Sequence, residues 1–420
     1  MLKLNELKKI YGGKKVLITG HTGFKGSYLC VLLNFLGAKV YGYSLKPEKN
    51  GLYELLKIGV KESKIEQLQQ HKIVSGEVFA DIRDEKKLTS YVKKIRPDYI
   101  IHMAAQPLVL LGYEKPHYTY DVNVMGTVNL MEAIRKTYLA NDSLKFKKSK
   151  TPVSILNVTT DKVYENNDLS NYAFKENDKL SGRDPYANSK SCSELVTYAY
   201  NKSYFYDKNI FRISTARAGN VIGGGDLNKN RIIPDCYRAI KDKKEMFIRN
   251  PLSIRPYQYV LEPLILYLNI LAYQVKDQKY EGNYNIGPDK KSCLNTKMLV
   301  EKFYNAVENY NTENALMNDD NNKIKLNISL KRKLKENSSN EISLKKVYLP
   351  KVVYNNAKQK TSKHEAAFLR LDNSLIKKTI SYKEIFSMEK TMEYTSKVYI
   401  DMLNKKNLYD SIIGIIKNFE

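Results

Sequence analysis

Two short stretches of this sequence carry residue types at spacings that could do chemistry. Tyr186 and Lys190 stand four apart in YANSK, so a helix would put a phenol and an ammonium on one face. A cation beside a phenol stabilises the phenolate and lowers its pKa from ~10 toward neutrality, which makes Tyr186 a candidate base. Just upstream, the run Thr159, Thr160, Asp161, Lys162 ends an apolar stretch. There Thr160 can share a substrate hydroxyl with Tyr186, and Asp161 next to Lys162 offers an acid beside an amine. The second stretch is TGHTGFKG, in which Gly20, Gly23 and Gly26 form a G-x-x-G-x-x-G pattern around Thr22, Phe24 and Lys25. Glycines at that spacing permit a tight turn and let backbone amides approach a pyrophosphate at a helix N-terminus, where the dipole favours the anion.

Each stretch alone has a plain structural explanation. Glycine turns between strand and helix are common, Y-x-x-x-K recurs by chance, and Asp161 with Lys162 could be a surface ion pair at a strand end. Their order and spacing together make the chemical reading the stronger one. A dinucleotide site usually carries an acid after its second strand, for the adenosine ribose. Here that stretch reads GYSLK, with no acid. Ser44 could bond a 2′-hydroxyl and Lys46 could accept a 2′-phosphate, so spacing alone leaves NAD and NADP both open. Asp81 and Ile82, after the next strand, are placed to contact adenine, with a loop cap as the alternative for Asp81.

These residues need a scaffold that gathers strand ends and helix starts. Residues 15–19 (KVLIT) read as a buried strand, 27–36 as the helix after the glycine turn, with Gly37 as its αL stop, and 39–45 (KVYGYSL) as a second strand. Asp84 caps a helix whose Leu88, Tyr91, Val92 and Ile95 recur at i, i+3, i+4 and i+7. Residues 98–103 and 153–158 are further strands. Strand–helix–strand units of this length predict an α/β fold, a Rossmann-type doubly wound parallel sheet over residues 1–219 that includes the Tyr–Lys helix. Residues 220–420 then form mainly a smaller C-terminal α/β substrate lobe, with return excursions to the first domain. An Asn/Lys-rich insertion near 309–345 reads as a surface loop.

Composition excludes several classes. The 420 residues are 42% hydrophobic, enough for a sizeable core. No apolar run approaches the ~20 residues that span a bilayer, and the charged N-terminal stretch lacks a signal-peptide core, so no membrane association or export is expected. The four cysteines show no C-x-x-C or metal-ligand spacing. Neither a disulfide framework nor a metal site is expected, and a reduced cytoplasmic compartment fits. The net charge of +25 favours polyanionic ligands. The excess is spread along the chain without a nucleic-acid motif, so small-molecule phosphates are preferred over a specific nucleic acid.

With these residues in view, the chain resembles the extended short-chain dehydrogenase/reductase superfamily and, within it, the CDP-glucose 4,6-dehydratases. The resemblance covers most of the chain outside the insertion and rests on GKKVLITGHTGFKGSYL, HMAAQPLV, NVTTDKVYEN, GRDPYANSKSCSELV and ARAGNVIGGGD. Asp161-Lys162 is its sharpest discriminator, because the related deoxythymidine-diphosphoglucose dehydratases carry Asp-Glu there. The resemblance implies NAD as cofactor, lined by Ala104, Ala105, Gln106 and Thr159, and CDP-glucose as substrate. Gln106, Asn220, Arg231, Arg249 and Arg255 would address that substrate, the arginine forks matching its diphosphate. It further implies oxidation at C4, loss of water across C5 and C6, and hydride return to C6, for deoxysugar and lipopolysaccharide-type biosynthesis. Tyr186 would take the 4-hydroxyl proton, while Asp161 as acid and Lys162 as base is one of two possible splits. Asn123 would sit across the sheet, facing the cofactor or stiffening the fold.

The chain departs from the family at Leu110 and Leu111, where a basic residue is usual. It departs again at Tyr257 and Tyr259 (Trp and His), Leu227 (Trp) and Lys175 (Arg). These changes spare the catalytic set and bear on nucleotide and sugar identity. The resemblance also implies that the helices around 122–137 and 185–206 pair into a four-helix bundle, giving a homodimer or homotetramer. Two other readings share the motifs: an epimerase or reductase of the same superfamily, which needs no Asp161–Lys162 pair, and a non-catalytic dinucleotide-binding protein.

Overall fold

Side chains alternate along the first strand, β1 (Lys15–Thr19), and this splits the molecule into two cores: Val16 and Ile18 join one buried cluster, Leu17 the other. The computed structural model describes residues 1–62, 73–139, 151–167, 172–206, 209–289, 292–317, 347–354 and 369–419. From residue 318 the insertion expected near 309–345 lies outside the described residues.

Six more strands complete the central sheet: β2 (Lys39–Ser44), β3 (Gly76–Phe79), β4 (Tyr99–His102), β5 (Val153–Thr160), β6 (Phe211–Ala218) and β10 (Asn283–Ile286). Their order is β10-β6-β5-β4-β1-β2-β3, and every neighbouring pair is parallel. The expected doubly wound parallel sheet is therefore present, with the strand order reversing between β1 and β4. Ligands in such sheets bind at that reversal, outside the carboxyl ends of the strands.

Helices α1 (Leu4–Tyr11), α2 (Phe24–Phe35), α3 (Leu52–Glu62) and α10 (Leu261–Lys276) supply the core on one face of the sheet. The opposite face is covered by α4 (Glu85–Ile95) and α7 (Gly126–Tyr138). Asp84 caps α4 as its spacing predicts, accepting a hydrogen bond from the Lys87 amide at 3.0 Å. Short helices α5 (Val109–Glu114) and α6 (Pro116–Tyr120) lead through a single π-helical turn into α7.

Helix α8 (Pro185–Tyr200) meets the sheet with polar residues: Ser189, Ser193, Glu194 and Thr197 are all buried. Buried polar groups must be paired, and these are. Asn157 of β5 donates to Ser193 Oγ at 3.0 Å and Thr197 Oγ1 at 2.8 Å. Beside them, Thr19 Oγ1 accepts from the amides of Met103 and Ala104, both at 3.1 Å, so its own proton goes to His102 Nδ1 at 2.7 Å. His102 Nε2 then donates to Thr127 at 3.2 Å. Burial, followed by the charge of Lys190, holds the His102 pKa down to about 3 and keeps the ring neutral.

A second lobe follows β6. It holds β7 (Asn220–Ile222), β9 (Ile254–Tyr259) and β11 (Cys293–Asn295) in one three-stranded sheet, and β8 (Met246–Ile248) paired with β12 (Val352–Tyr354). Helices α9 (Ile232–Asp242), α11 (Thr296–Met317) and α13 (Met388–Leu403) pack its core around Cys236, Phe303 and Tyr399. Helices α12 (Ser374–Ile380) and α14 (Leu408–Lys417) return to the first core. Among the described residues no helix is long and apolar enough to cross a membrane.

One buried ion pair joins α8 to the sheet. Arg217 of β6 reaches Glu194 with Nε at 2.9 Å from both oxygens and Nη2 at 2.5 Å, and both side chains are almost wholly buried. Glu194→Gln keeps the shape but leaves a buried guanidinium without its counter-charge. It should cost about 3–5 kcal/mol, read as a lower midpoint in chemical denaturation. An unchanged midpoint would show that the pair is dispensable.

Candidate active site

The glycine-rich turn is tight because it must be. Gly20 has φ of 77°, and a Cβ there would lie 2.8 Å from the Ala104 amide nitrogen. A Cβ on Gly26 would lie 2.7 Å from His21 Cα and would collide with the Gly20 carbonyl oxygen. The helix opens at Phe24, three residues before the predicted start, because Gly23 is its extended N-cap. His21 turns inward, its Nε2 3.0 Å from Glu77. Thr22 ties the turn to the end of β2, with Oγ1 2.8 Å from Ser44 Oγ and donating to the Leu45 carbonyl at 3.1 Å. Asp81 lines the same opening, but its carboxylate holds the Arg83 guanidinium at 3.0 and 2.8 Å and the Arg83 amide at 2.9 Å. The Arg83 bonds keep its pKa below the ordinary carboxylate value.

Strand β5 delivers the second group of residues. It runs two residues longer than predicted, to Thr160, and then tightens into a 3₁₀ turn over Asp161–Val163. Thr160 Oγ1 donates to Asp161 Oδ1 at 2.9 Å. Asp161 is buried, and burial raises its pKa; Lys162, the Thr160 bond, Arg255 and Lys25 pull the other way, in that order. Opposite stands α8, whose start is set by Asp184 accepting from the Ala187 amide at 2.9 Å, with Pro185 in the first turn.

Tyr186 and Lys190 do share the face of α8 that looks into the cleft, but not as a simple phenol–ammonium couple. Lys190 Nζ donates to the Val158 carbonyl at 3.0 Å. Burial lowers its pKa to about 8, with Glu194 opposing. The Tyr186 phenol is pushed up to about 12: burial outweighs the Thr160 side chain and Arg231, and Asp161 adds to the rise. The expected downward shift is absent from this arrangement because desolvation of the phenolate is the larger effect.

The second lobe contributes Asn220 from β7, Arg231 from the turn before α9, Arg249 after β8 and Arg255 from β9. Arg231 is oriented by Asp226 at 2.8 Å, a nearly fully buried carboxylate that also holds Asn228. Together these surfaces enclose one cleft of about 1410 Å³. Every candidate catalytic, cofactor-binding or substrate-binding residue named from the sequence lines it except Gln106, and Asn123 does not line it either. Gln106 points into the protein, donating to Thr119 at 2.9 Å and accepting from the Leu108 amide at 2.5 Å. Asn123 accepts from the Gln106 amide at 2.8 Å and donates to Ser189 at 2.9 Å, so it stiffens the junction of strand end and helix. Leu110, Leu111, Leu227 and Tyr257 line the cleft, whereas Tyr259 is buried against Phe386 and Tyr394.

Sequence reasoning missed Asp226 and the Glu194–Arg217 pair. Asp226 sat in plain view as the acid after three glycines, GGGD. Nothing in local spacing links Glu194 to Arg217, which meet only across the fold.

Comparison with known proteins agrees with this fold. The sequence is 38% identical over 302 residues to a CDP-glucose 4,6-dehydratase of Salmonella typhimurium, covering 70% of this chain and 77% of that protein. Among solved structures, a UDP-glucose 4-epimerase of Stenotrophomonas maltophila superposes with a TM-score of 0.65 at 17% identity, covering 93% and 99% of the two chains. A dTDP-glucose 4,6-dehydratase of Bacillus anthracis does so with 0.62 at 17% identity, covering 94% and 100%. These two share the fold. The GDP-mannose 4,6 dehydratase profile matches residues 17–395, nearly the whole chain. The protein is a member of the GDP-mannose 4,6 dehydratase family.

Proposed function

We propose that this member of a nucleotide-sugar dehydratase family converts CDP-glucose to CDP-4-keto-6-deoxyglucose, with NAD as its resident cofactor. The single observation that carries the reading is the convergence of Thr160, buried Asp161, Lys162 and Tyr186 on one cleft that Arg231, Arg249 and Arg255 also line. The likeness to the Salmonella enzyme supports the nucleotide and sugar.

The glycine turn fits a dinucleotide: its backbone is bare where a Cβ at Gly20 or Gly26 would fill the space, and α2 points its N-terminus at the opening. Gly20, Thr22, Gly23, Phe24, Lys25 and Gly26 would hold the pyrophosphate. Ser44 and Lys46 would meet the adenosine ribose, with Asp81 and Ile82 toward adenine. Ala104, Ala105 and Thr159 would flank the nicotinamide end with Lys190. Bound there, the cofactor supplies reversible two-electron oxidation at C4 and reduction at C6.

The chain's own groups handle the protons. Tyr186 accepts the 4-hydroxyl proton while Thr160 orients that hydroxyl, and the cations of Lys190 and Arg231 offset the cost of a buried phenolate. The 4-ketone acidifies C5–H, Lys162 removes that proton, Asp161 gives its proton to the departing C6 hydroxyl, and Lys162 returns a proton to C5 when C6 is reduced. A buried carboxyl with raised pKa suits an acid that must stay protonated. The arginines bind the diphosphate. Apolar residues Met125, Leu195 and Tyr198 are exposed along the π-helical turn before α7 and the outer face of α8, which supports a homodimer or tetramer built on these helices. Four free thiols and a nucleotide-sugar substrate fit a cytoplasmic setting and a role in deoxysugar and lipopolysaccharide assembly.

Incubation with CDP-glucose, dTDP-glucose and UDP-glucose should yield the alkali-induced ultraviolet absorbance of a 4-keto-6-deoxy sugar with CDP-glucose alone. Turnover of another nucleotide sugar instead would move the substrate, and epimerised product without that absorbance would replace the reaction. Asp161→Asn and Lys162→Met should each lower kcat about 10²–10⁴-fold. Lys162→Met should also abolish solvent deuterium uptake at C5, and undiminished uptake would remove Lys162 from the base role. Gly26→Ala should weaken NAD binding at least about tenfold by calorimetry while the fold melts cooperatively, since the added methyl meets backbone that cannot yield.

A further inference from the structure

His21 stands inside the glycine-rich turn, between Gly20 and Gly23, yet no step of the chemistry uses it. Its side chain is fully buried and does not line the cleft. The ring lies on β2 where that strand has no side chain: a Cβ on Gly42 would come 2.5 Å from His21 Cγ and Cε1. Tyr53 of α3 meets the ring edge-on at 5.1 Å between centres, and Phe79 of β3 lies nearly parallel to it at 6.2 Å. The ring is thus bounded by β2, β3 and α3.

Its polar anchor is Glu77, which pairs with Gly42 across β3 and β2. His21 Nε2 lies 3.0 Å from Glu77 Oε2, and the Tyr53 hydroxyl donates to the same oxygen at 2.7 Å. Lys57 holds the other oxygen, Oε1. Burial works to raise the Glu77 pKa, but the bonds from His21, Lys57 and Tyr53 outweigh it and hold the carboxyl down to about 2. An ionised carboxylate only accepts, so Nε2 carries the proton of this bond. His21 Nδ1 is buried with no hydrogen-bond partner among the described residues, which leaves Glu77 as the ring's one polar anchor there.

The stretch after β2, GYSLK, has no acid to meet a ribose. The carboxylate one strand away is committed to the turn instead and stays outside the cleft lining. Backbone amides receive a pyrophosphate well only where the chain that carries them is held still. Gly20 and Gly26 fix the turn by close backbone approach, and Thr22 ties it to Ser44 and Leu45. Between them His21 reaches back to β3.

We infer that His21 is a positioning residue for the dinucleotide: its ring, seated on Gly42 and tethered to Glu77, sets the path of the Gly20–Gly26 backbone that would receive the pyrophosphate. The inference rests on the reading of that turn as the cofactor seat. By this route β3 contributes to cofactor affinity without touching the cofactor.

The test is calorimetric titration of the full chain, freed of bound nucleotide, with NAD and separately with CDP. His21→Phe keeps a ring over Gly42 and loses the tether. It should weaken NAD binding about tenfold and leave CDP binding within about twofold. Gly42→Ala, which drives the ring off β2, should weaken NAD binding at least as much. Adding Glu77→Gln to His21→Phe should cost less than about a further twofold, since the two side chains act as one unit. Unchanged NAD affinity in His21→Phe overturns the inference. So does an equal loss for NAD and CDP, which marks a general loosening of the fold. If His21→Phe does not fold, unchanged NAD affinity in Glu77→Gln overturns it instead. An unaltered chain that binds CDP but not NAD refutes the cofactor seat itself, and the inference with it.

Discussion

The contact between Glu194 and Arg217 is the constraint on which the rest of the site depends. Taking both charges out of water costs several kcal/mol per ion, and mutual attraction repays it only when the remaining donors and acceptors are also satisfied. Here they are. Thr159 donates to Glu194 at 2.5 Å, and Arg217 donates onward to the Tyr164 hydroxyl at 2.7 Å and the Glu176 carbonyl at 2.8 Å. Tyr164 donates in turn to Asn285 at 2.6 Å. The network therefore spans β5, β6, β10 and α8. It fixes the end of β5 relative to the helix that carries Tyr186, and the chemistry needs that relation held to a fraction of an ångström.

A second polar wall works on the other side of the strand end. Thr19, His102, Thr127, Ser193 and Asn157 form a buried chain in which each hydroxyl and ring nitrogen has a partner. Because His102 is neutral, the wall adds no charge to a region that already holds Lys25 and Lys190. The cleft floor thus follows a simple electrostatic rule. Burial disfavours the charged form of each group, raising Asp161 and Tyr186 and lowering Lys25 and Lys190 toward neutrality. Asp161 and the two lysines are thereby drawn together in proton affinity, whereas Tyr186, at about 12, and Lys190, at about 8, are drawn apart.

The positive charge of the chain has a division of labour. Part of it converges on the cleft, which Arg231, Arg249, Arg255, Lys25 and Lys162 all line. Much of the remainder lies on exposed faces, paired locally as in Lys179 with Glu165 or Lys390 with Glu393. Such exposed pairs contribute little to stability. Their value is solubility and attraction of anionic ligands at a distance.

Most of the scaffold was legible in the sequence. The short apolar run in KVLIT, the cap at Asp84 and the glycine spacing of the first turn each act locally, so strand, helix and turn follow from residues within a few positions of one another. That Thr160, Asp161, Lys162, Tyr186 and Lys190 share one cleft was legible for the same reason: they sit at strand-end and i, i+4 positions whose direction is a matter of local geometry. Gln106 was misread because its outward or inward turn depends on Thr119 and Asn123, which come from other elements. The proton affinity of Tyr186 was misread because desolvation is a property of everything packed around the phenol. Sequence by itself determined which elements form and which residues stand at their ends. Only the tertiary structure decided which charges meet, as Glu194 does with Arg217, because electrostatic energy depends on distance and burial, and neither is encoded in separation along the chain.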